Sequence, residues 1–427
     1  MGESVLTDGS TPGGGPLAFE GVPFDTIAEA VGTPTYVYSL GSIRQQFERL
    51  TTALAGVPHR LHYSMKANSS HAVLALLREL GAGVDIVSGG ELYRAMRAGM
   101  NGADVVFSGV GKTATELREA LEAGVLLINV ESEGELRLLD GVARQMGCVA
   151  PVALRVNPEV TVDTPHPYTR TGAKGMKFGI PYDEAMPVAE LALALPNVRL
   201  LGLDMHVGSQ VTSVEPWREG TTRLVELLGR LRAAGAKDIR YLDVGGGLAV
   251  TYEDELPTDA EHFAAAVVPL VRDAGVTLII EPGRFLVGNA GVLLTRVLYR
   301  KRSGGREFVI TDAGMTDLLR PSHYAAYHRI DAVHPREERA ILDVVGPVCE
   351  SGDFLALDRE MEVVEVGDLL AVGSAGAYGF CMASNYNSRP RAAEVVVAGG
   401  RWAVATHRET YEDLVRQEVR TLHWKEV

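Results

Sequence analysis

The sequence predicts an α/β protein, a closed (β/α)8 barrel with a second, antiparallel β domain. Between Arg60 and Gly283, short apolar runs of strand-like composition alternate with helical stretches, the pattern of parallel βαβ units. Beyond Leu286 that alternation stops, and short β-branched segments follow one another with turns but no helices between them. The polar residues of the first region fall where its apolar runs end, and barrel chemistry sits at the C-terminal ends of the strands.

Taken in order, residues 1–16 (MGESVLTDGSTPGGGP) are polar and rich in Gly and Pro and read as a disordered leader, without the basic and apolar regions of a signal peptide. Residues 17–40 hold a short strand, Thr35–Tyr38, and read as a segment that packs with the β domain. The barrel is expected over 41–285, with a first helix at about Ser42–Leu54. Its strands are the runs Arg60–Lys66, Gly83–Val87, Asp104–Ser108, Leu126–Val130, Pro151–Asn157, Arg199–His206, Ile239–Gly245 and Thr277–Gly283. The stretches His71–Leu80, Glu91–Ala98, Glu116–Ala123 and Trp217–Ala233 carry apolar residues at three- and four-residue spacing, as an outer ring of helices requires. The connection Pro158–Phe178, with His166, Tyr168, Arg170, Lys174 and Lys177, is long, and such loops in compact domains are usually functional. In the β domain, 286–427, strands are expected at Val292–Val297, Glu307–Thr311, Arg339–Val345, Asp368–Val372, Ala393–Val397 and Arg401–Ala405, with a short helix at Thr410–Arg416.

Composition bounds the function. The length of 427 residues suits a barrel plus a domain of ordinary size, and 46% hydrophobic with 22% charged residues describes a globular protein with a large core. The net charge is −14 with no basic stripe, which argues against nucleic-acid binding. Three cysteines (Cys148, Cys349, Cys381) form neither a CxxC pair nor a disulfide framework, which points to a reducing, cytoplasmic setting. No apolar stretch approaches the roughly 20 residues that span a bilayer, and nothing suggests a metal.

The strand ends carry the equipment for an aldehyde cofactor with a phosphate tail. Lys66, in Tyr63-Ser64-Met65-Lys66-Ala67-Asn68, follows an apolar strand; burial there would favour the free amine, which condenses with an aldehyde. Gly245-Gly246-Gly247 ends the seventh run and Glu281-Pro282-Gly283-Arg284 the eighth, the two loops where barrels commonly bind phosphate. Glu281 suits the pyridine nitrogen of a pyridoxal ring, and His206, ending the sixth run, can lie against such a ring. In the β domain, Gly346-Pro347-Val348-Cys349-Glu350-Ser351-Gly352-Asp353 sets a thiol and two carboxylates in a turn, and Gly376-Ala377-Tyr378-Gly379 an aromatic hydroxyl between small residues. Each alone has a plainer reading: a surface lysine, a turn, a structural histidine, a loop with surface acids, a packed tyrosine.

Together, the ordered motifs YSMKAN, HVGSQ, DVGGG, EPGR, CESGD and AYG, spread from about Pro34 to Val397, resemble the fold-type III pyridoxal-phosphate-dependent decarboxylases of basic amino acids, and among these the diaminopimelate group. The resemblance implies the alanine racemase-like pairing of barrel and β domain, and decarboxylation of meso-2,6-diaminopimelate to L-lysine with pyridoxal 5'-phosphate, the last step of bacterial lysine synthesis. It implies that Lys66 holds the cofactor, that His206 stacks on its ring, that Glu281 meets its ring nitrogen, that Ser209 is among the cofactor's contacts, and that Gly245, Gly246, Gly247, Gly283 and Arg284 surround its phosphate with Tyr378 assisting. Arg284 and Arg320 would hold a distal carboxylate with Tyr324 and Tyr378, Glu350 a distal ammonium, and Cys349 would be the proton donor. The segment with Cys349 would enter the partner's active site, which makes a homodimer with shared sites. Two arginines suit a second carboxylate because each can bind it bidentately. Ala249 and Arg329 depart from the family pattern where glycine and proline are usual. A sister decarboxylase acting on another or a carrier-linked amino acid, a racemase of the same barrel type, or an inactive regulatory homologue are the alternatives.

Overall fold

The structure, a computed structural model, describes residues 15–425 other than 163, 170, 171 and 173, so most of the leader and Arg170 lie outside the described residues. The chain divides into two compact units, Leu40–Asn289 and the segment up to Ser39 together with the chain from Ala290 onward.

The first unit is a closed parallel barrel. Its strands are His59–Ser64, Gly83–Ile86, Val105–Phe107, Leu127–Val130, Ala150–Asn157, Val198–Asp204, Tyr241–Asp243 and Thr277–Ile280. Each pairs in parallel with the next, and the eighth returns to the first through Ile280 and Leu61. Apolar runs form these strands because a parallel strand in a barrel is buried on both faces. Val106, Leu127, Ala153, Leu201 and Ile279 pack together as one core cluster. The helices between strands are bounded by local chemistry. Ser88, Thr113, Ser132 and Asp259 each accept an N–H of the following first turn, and Gly124, Gly147 and Gly275 end helices in the left-handed conformation. The expected first helix spans Leu40–Ala53.

In the second unit, the fully buried strand Thr35–Ser39 lies between Gly291–Ser303, antiparallel to it, and Ala393–Ala398, parallel to it. A second parallel ladder joins Arg306–Thr311 to Arg339–Val345, so the sheet is mixed where an antiparallel one was expected. Four strands of this unit escaped the sequence reading: the two-residue pair Ala18–Phe19 and Val22–Pro23, then Ile330–Ala332 and Phe354–Glu362. The last is an edge strand whose Leu357, Asp358 and Glu360 are exposed and whose Arg359 donates to the His328 carbonyl, so it lacks the apolar signature of a central strand. Helices at Phe24–Val31, Arg320–Tyr324 and Tyr411–Val415 pack in the same unit. Among the described residues no helix is long and apolar enough to cross a membrane, and the three cysteines are free thiols.

Candidate active site

Strand register builds the polar face of the barrel. Ser64 and Asp85 are partners across the first and second strands, and Ser64 Oγ donates to Asp85 Oδ2 at 2.8 Å and to the Glu281 carbonyl at 3.1 Å. Lys66 sits in a single 3-10 turn, Met65–Ala67, just past the first strand. Its Nζ donates to the same Asp85 oxygen at 3.1 Å, and its side chain is 38% exposed. The apolar surroundings expected for Lys66 are therefore corrected: a buried carboxylate supplied by the next strand receives the ammonium. In exchange the lysine neutralises a carboxylate that burial would otherwise make costly.

A second row crosses the far side of the barrel. Arg155, Asp204 and Asp243 are register partners on the fifth, sixth and seventh strands. All three are buried. Glu281 lies two residues beyond Ile279, the partner of Asp243 on the eighth strand. Asp204, Asp243 and Glu281 each bring a carboxylate oxygen within 4.8 Å of the other two. Burial, then the charges of Asp243, Asp85 and Asp204, push Glu281 well above the ordinary carboxylate range, with Lys66 opposing. Its surroundings thus favour the protonated form, from which a carboxyl can share a proton with a ring nitrogen.

The glycine triplet is shaped by what surrounds it. A Cβ on Gly246 would lie 2.1 Å from the Glu281 carbonyl oxygen, and one on Gly245 2.6 Å from His206 Nδ1. Gly245 and Gly247 have φ of 68° and 106°, which only glycine adopts freely. Of the triplet's N–H groups, Gly245 donates to Asp243 Oδ1 at 2.9 Å and Gly246 to His206 Nδ1 at 3.2 Å. Two of the three amides therefore orient side chains. The Gly246 contact makes Nδ1 of His206 the acceptor, and burial beside Arg155 and Lys66 holds that ring neutral, with its pKa well below the usual histidine value. Trp217 Nε1 donates to the Gly246 carbonyl, and the Gln210 amide bonds both polar groups of the Val250 backbone. Gly283 opens a four-residue helix at Arg284–Val287. The buried Arg284 donates to Ser209 Oγ at 3.0 Å and to the Tyr252 hydroxyl.

In the other unit, Arg320 is buried and begins the helix Arg320–Tyr324, with its guanidinium carbon 5.8 Å from the Tyr324 ring centre. Its Nε donates to His328 Nε2 at 3.2 Å, which leaves Nδ1 of that imidazole to donate to the Gly373 carbonyl at 2.9 Å. Arg329 turns away from this pair and bonds Asp331 at 2.8 Å, half exposed. Cys349 and Glu350 are exposed on their turn. Asp353 of the same motif is a buried structural acid that accepts the Met315 and Val348 N–H groups. Tyr378 is half-buried at φ 56°. Such left-handed backbone in a bulky residue is strain that surrounding structure must hold.

Sequence reasoning missed Asp85, Arg155, Asp204, Tyr252 and His328. A signal existed for the first three: charged residues inside apolar strand runs are buried charges in need of partners.

Known proteins are similar to this chain over most of its length. The family model for the pyridoxal-dependent decarboxylase pyridoxal binding domain matches residues 40–288, nearly the extent of the barrel unit. Diaminopimelate decarboxylase of Pseudomonas aeruginosa is 51% identical over 403 residues, covering 94% of this chain and 96% of that protein. The crystal structure of diaminopimelate decarboxylase from Helicobacter pylori with L-lysine superposes at a TM-score of 0.89, with 39% identity over 92% of this chain and 99% of that one. That of the enzyme from M. jannaschii with L-lysine gives 0.90, with 36% identity over 95% and 96%.

Proposed function

Because the chain belongs to the diaminopimelate decarboxylase family of pyridoxal-dependent decarboxylases, we propose that it converts meso-2,6-diaminopimelate to L-lysine and carbon dioxide with pyridoxal 5'-phosphate, the closing step of lysine biosynthesis. The observation that carries this is full-length similarity to relatives of that name, joined to a lysine, a half-buried imidazole and a proton-holding carboxyl on one rim of strand ends. The donor set fits the cofactor: a primary amine for its aldehyde, Glu281 for its ring nitrogen, His206 for a ring face. Gly245, Gly246, Gly247, Gly283, Arg284 and Tyr378 are assigned to its phosphate, and Ser209 to the cofactor. When bound, the cofactor supplies an electron sink for the pair left behind as the carboxylate departs.

The chain's own groups do the rest. Lys66 would supply the amine that holds the cofactor's aldehyde, and Asp85 accepts from its Nζ and so fixes where that amine sits. His206, kept neutral, offers an uncharged ring face, and Glu281 holds its proton where the ring nitrogen needs it. Arg284 and Arg320 select a distal carboxylate, with Tyr324 and Tyr378. The Arg320 Nε–H is already committed to His328, so the guanidinium is held in one orientation. Glu350 takes the distal ammonium, and Cys349 delivers the proton that replaces carbon dioxide. Exposure of Cys349 and Glu350 supports their use by a partner subunit, in a cytoplasmic homodimer with shared sites. Carbon dioxide release from meso-diaminopimelate, L-lysine, L-ornithine and L-arginine, compared side by side, tests this. Release confined to meso-diaminopimelate is expected; another preferred substrate overturns the specificity, and silence on all four overturns the activity.

A further inference from the structure

Beneath the groups assigned to the cofactor lies a charge imbalance. Facing one another in the barrel are the carboxylates of Asp85, Glu131, Asp204, Asp243 and Glu281, with Lys66 and Arg155 as cations and the neutral His206 beside them. Lys66 pairs with Asp85. Arg155 bonds Glu131 at 3.0 Å and reaches Asp204 at 3.8 Å. No ion pair of Asp243 or Glu281 is found among the described residues, yet both are buried and their carboxyl oxygens lie within 4.8 Å of each other. Two adjacent buried carboxylates without a cation do not both ionise; they share a proton.

Asp243 is built for that part. Its Oδ1 is fixed by the Gly245 N–H at 2.9 Å, on the loop whose next amide orients His206. Its Oδ2 is buried and has no hydrogen-bond partner among the described residues. Leaving such an atom unsatisfied is expensive. Resting on the assignment of Glu281 to the cofactor's ring nitrogen, we propose that Asp243 is a positioning residue for Glu281: besides the proton on that nitrogen the two carboxyls hold one proton between them, and Asp243 carries it when Glu281 faces the nitrogen as a carboxylate. Burial, the largest influence, raises Asp243 to a pKa of about 7, with the Gly245 N–H and Glu281 pulling it down, Asp85 pushing it up and Arg155 opposing. The shared proton therefore titrates in the physiological range. Above that point the Asp243 carboxylate draws a proton toward the Glu281–nitrogen pair; below it, the Asp243 hydroxyl donates to Glu281 and steadies its negative form.

The test follows the nitrogen-15 chemical shift of ring-labelled pyridoxal phosphate in the holoenzyme as pH is raised through neutrality. Wild type should show an inflection near neutrality on a protonated nitrogen. Asp243→Asn, which keeps an oxygen for the Gly245 N–H, should keep the protonated nitrogen and lose the inflection; Asp243→Ser serves if that variant does not fold. Glu281→Gln should lose the protonated signature. An unchanged signal in Glu281→Gln overturns the ring-nitrogen assignment itself. A changed signal there, with wild type and Asp243→Asn titrating alike or wild type showing no inflection, overturns the role of Asp243 alone.

Discussion

His62 is fully buried in the first barrel strand, so tightly that a Cβ on Gly83 would lie 2.6 Å from its Nδ1. Burial, then the charge of Arg60, lowers its pKa from 6.5 to about 4. Between those values the unfolded chain binds a proton that the folded chain refuses, so acidification from about 6.5 to about 4 should remove about 3 kcal/mol of stability through this residue. His62→Gln should flatten that part of a plot of urea midpoint against pH, and an unchanged slope would refute the assignment. Arg320 makes a different kind of residue-scale prediction, because its role is geometric. Arg320→Lys keeps the charge but loses the planar fork held by His328. KM for meso-diaminopimelate should rise about tenfold or more, with cofactor affinity unchanged. Equal loss of both would remove Arg320 from substrate recognition.

At the scale of elements, the close approach of the loop after the seventh strand to the end of the eighth depends on the absence of a side chain. Gly246→Ala places a methyl 2.1 Å from the Glu281 carbonyl oxygen, which is backbone and cannot swing aside. The two strand ends must part, at a cost of about 1–3 kcal/mol, and the His206 and Glu281 groups part with them. Cofactor absorbance should fall together with the melting temperature; a well-bound cofactor in this variant would show that the close approach is dispensable. The register of parallel strands has a comparable role. A row of Arg155, Asp204 and Asp243 exists because three strands align those positions, and it gives the buried acids a cation at only one end.

For the whole molecule, the proposed homodimer makes the sharpest demand. If Cys349 acts in the partner's site, Lys66→Ala and Cys349→Ala chains should complement one another. Mixed dimers would contain one site with both residues intact, so mixing two impaired proteins should restore decarboxylation. Confirmed mixed dimers without recovery would confine each site to one chain.

The barrel was legible in the sequence because strands buried on both faces read as continuous apolar runs, and their C-terminal ends are where polar residues interrupt. Lys66, His206, the glycine triplet and Glu281 stood at those ends in the order the motifs run. The edge strand Phe354–Glu362 was not legible, since its buried Leu355, Ala356 and Met361 are separated by the charged run Asp358–Glu360. Nor were the partners. Asp85 meets Lys66 from nineteen positions away and Asp243 meets Glu281 from a neighbouring strand, and such distances close only when register aligns the strands. Sequence by itself determined which groups are available and which fold would present them, because periodicity and residue chemistry are local properties. The tertiary structure alone decided their charge states, because protonation depends on burial and on neighbours that the chain order does not reveal.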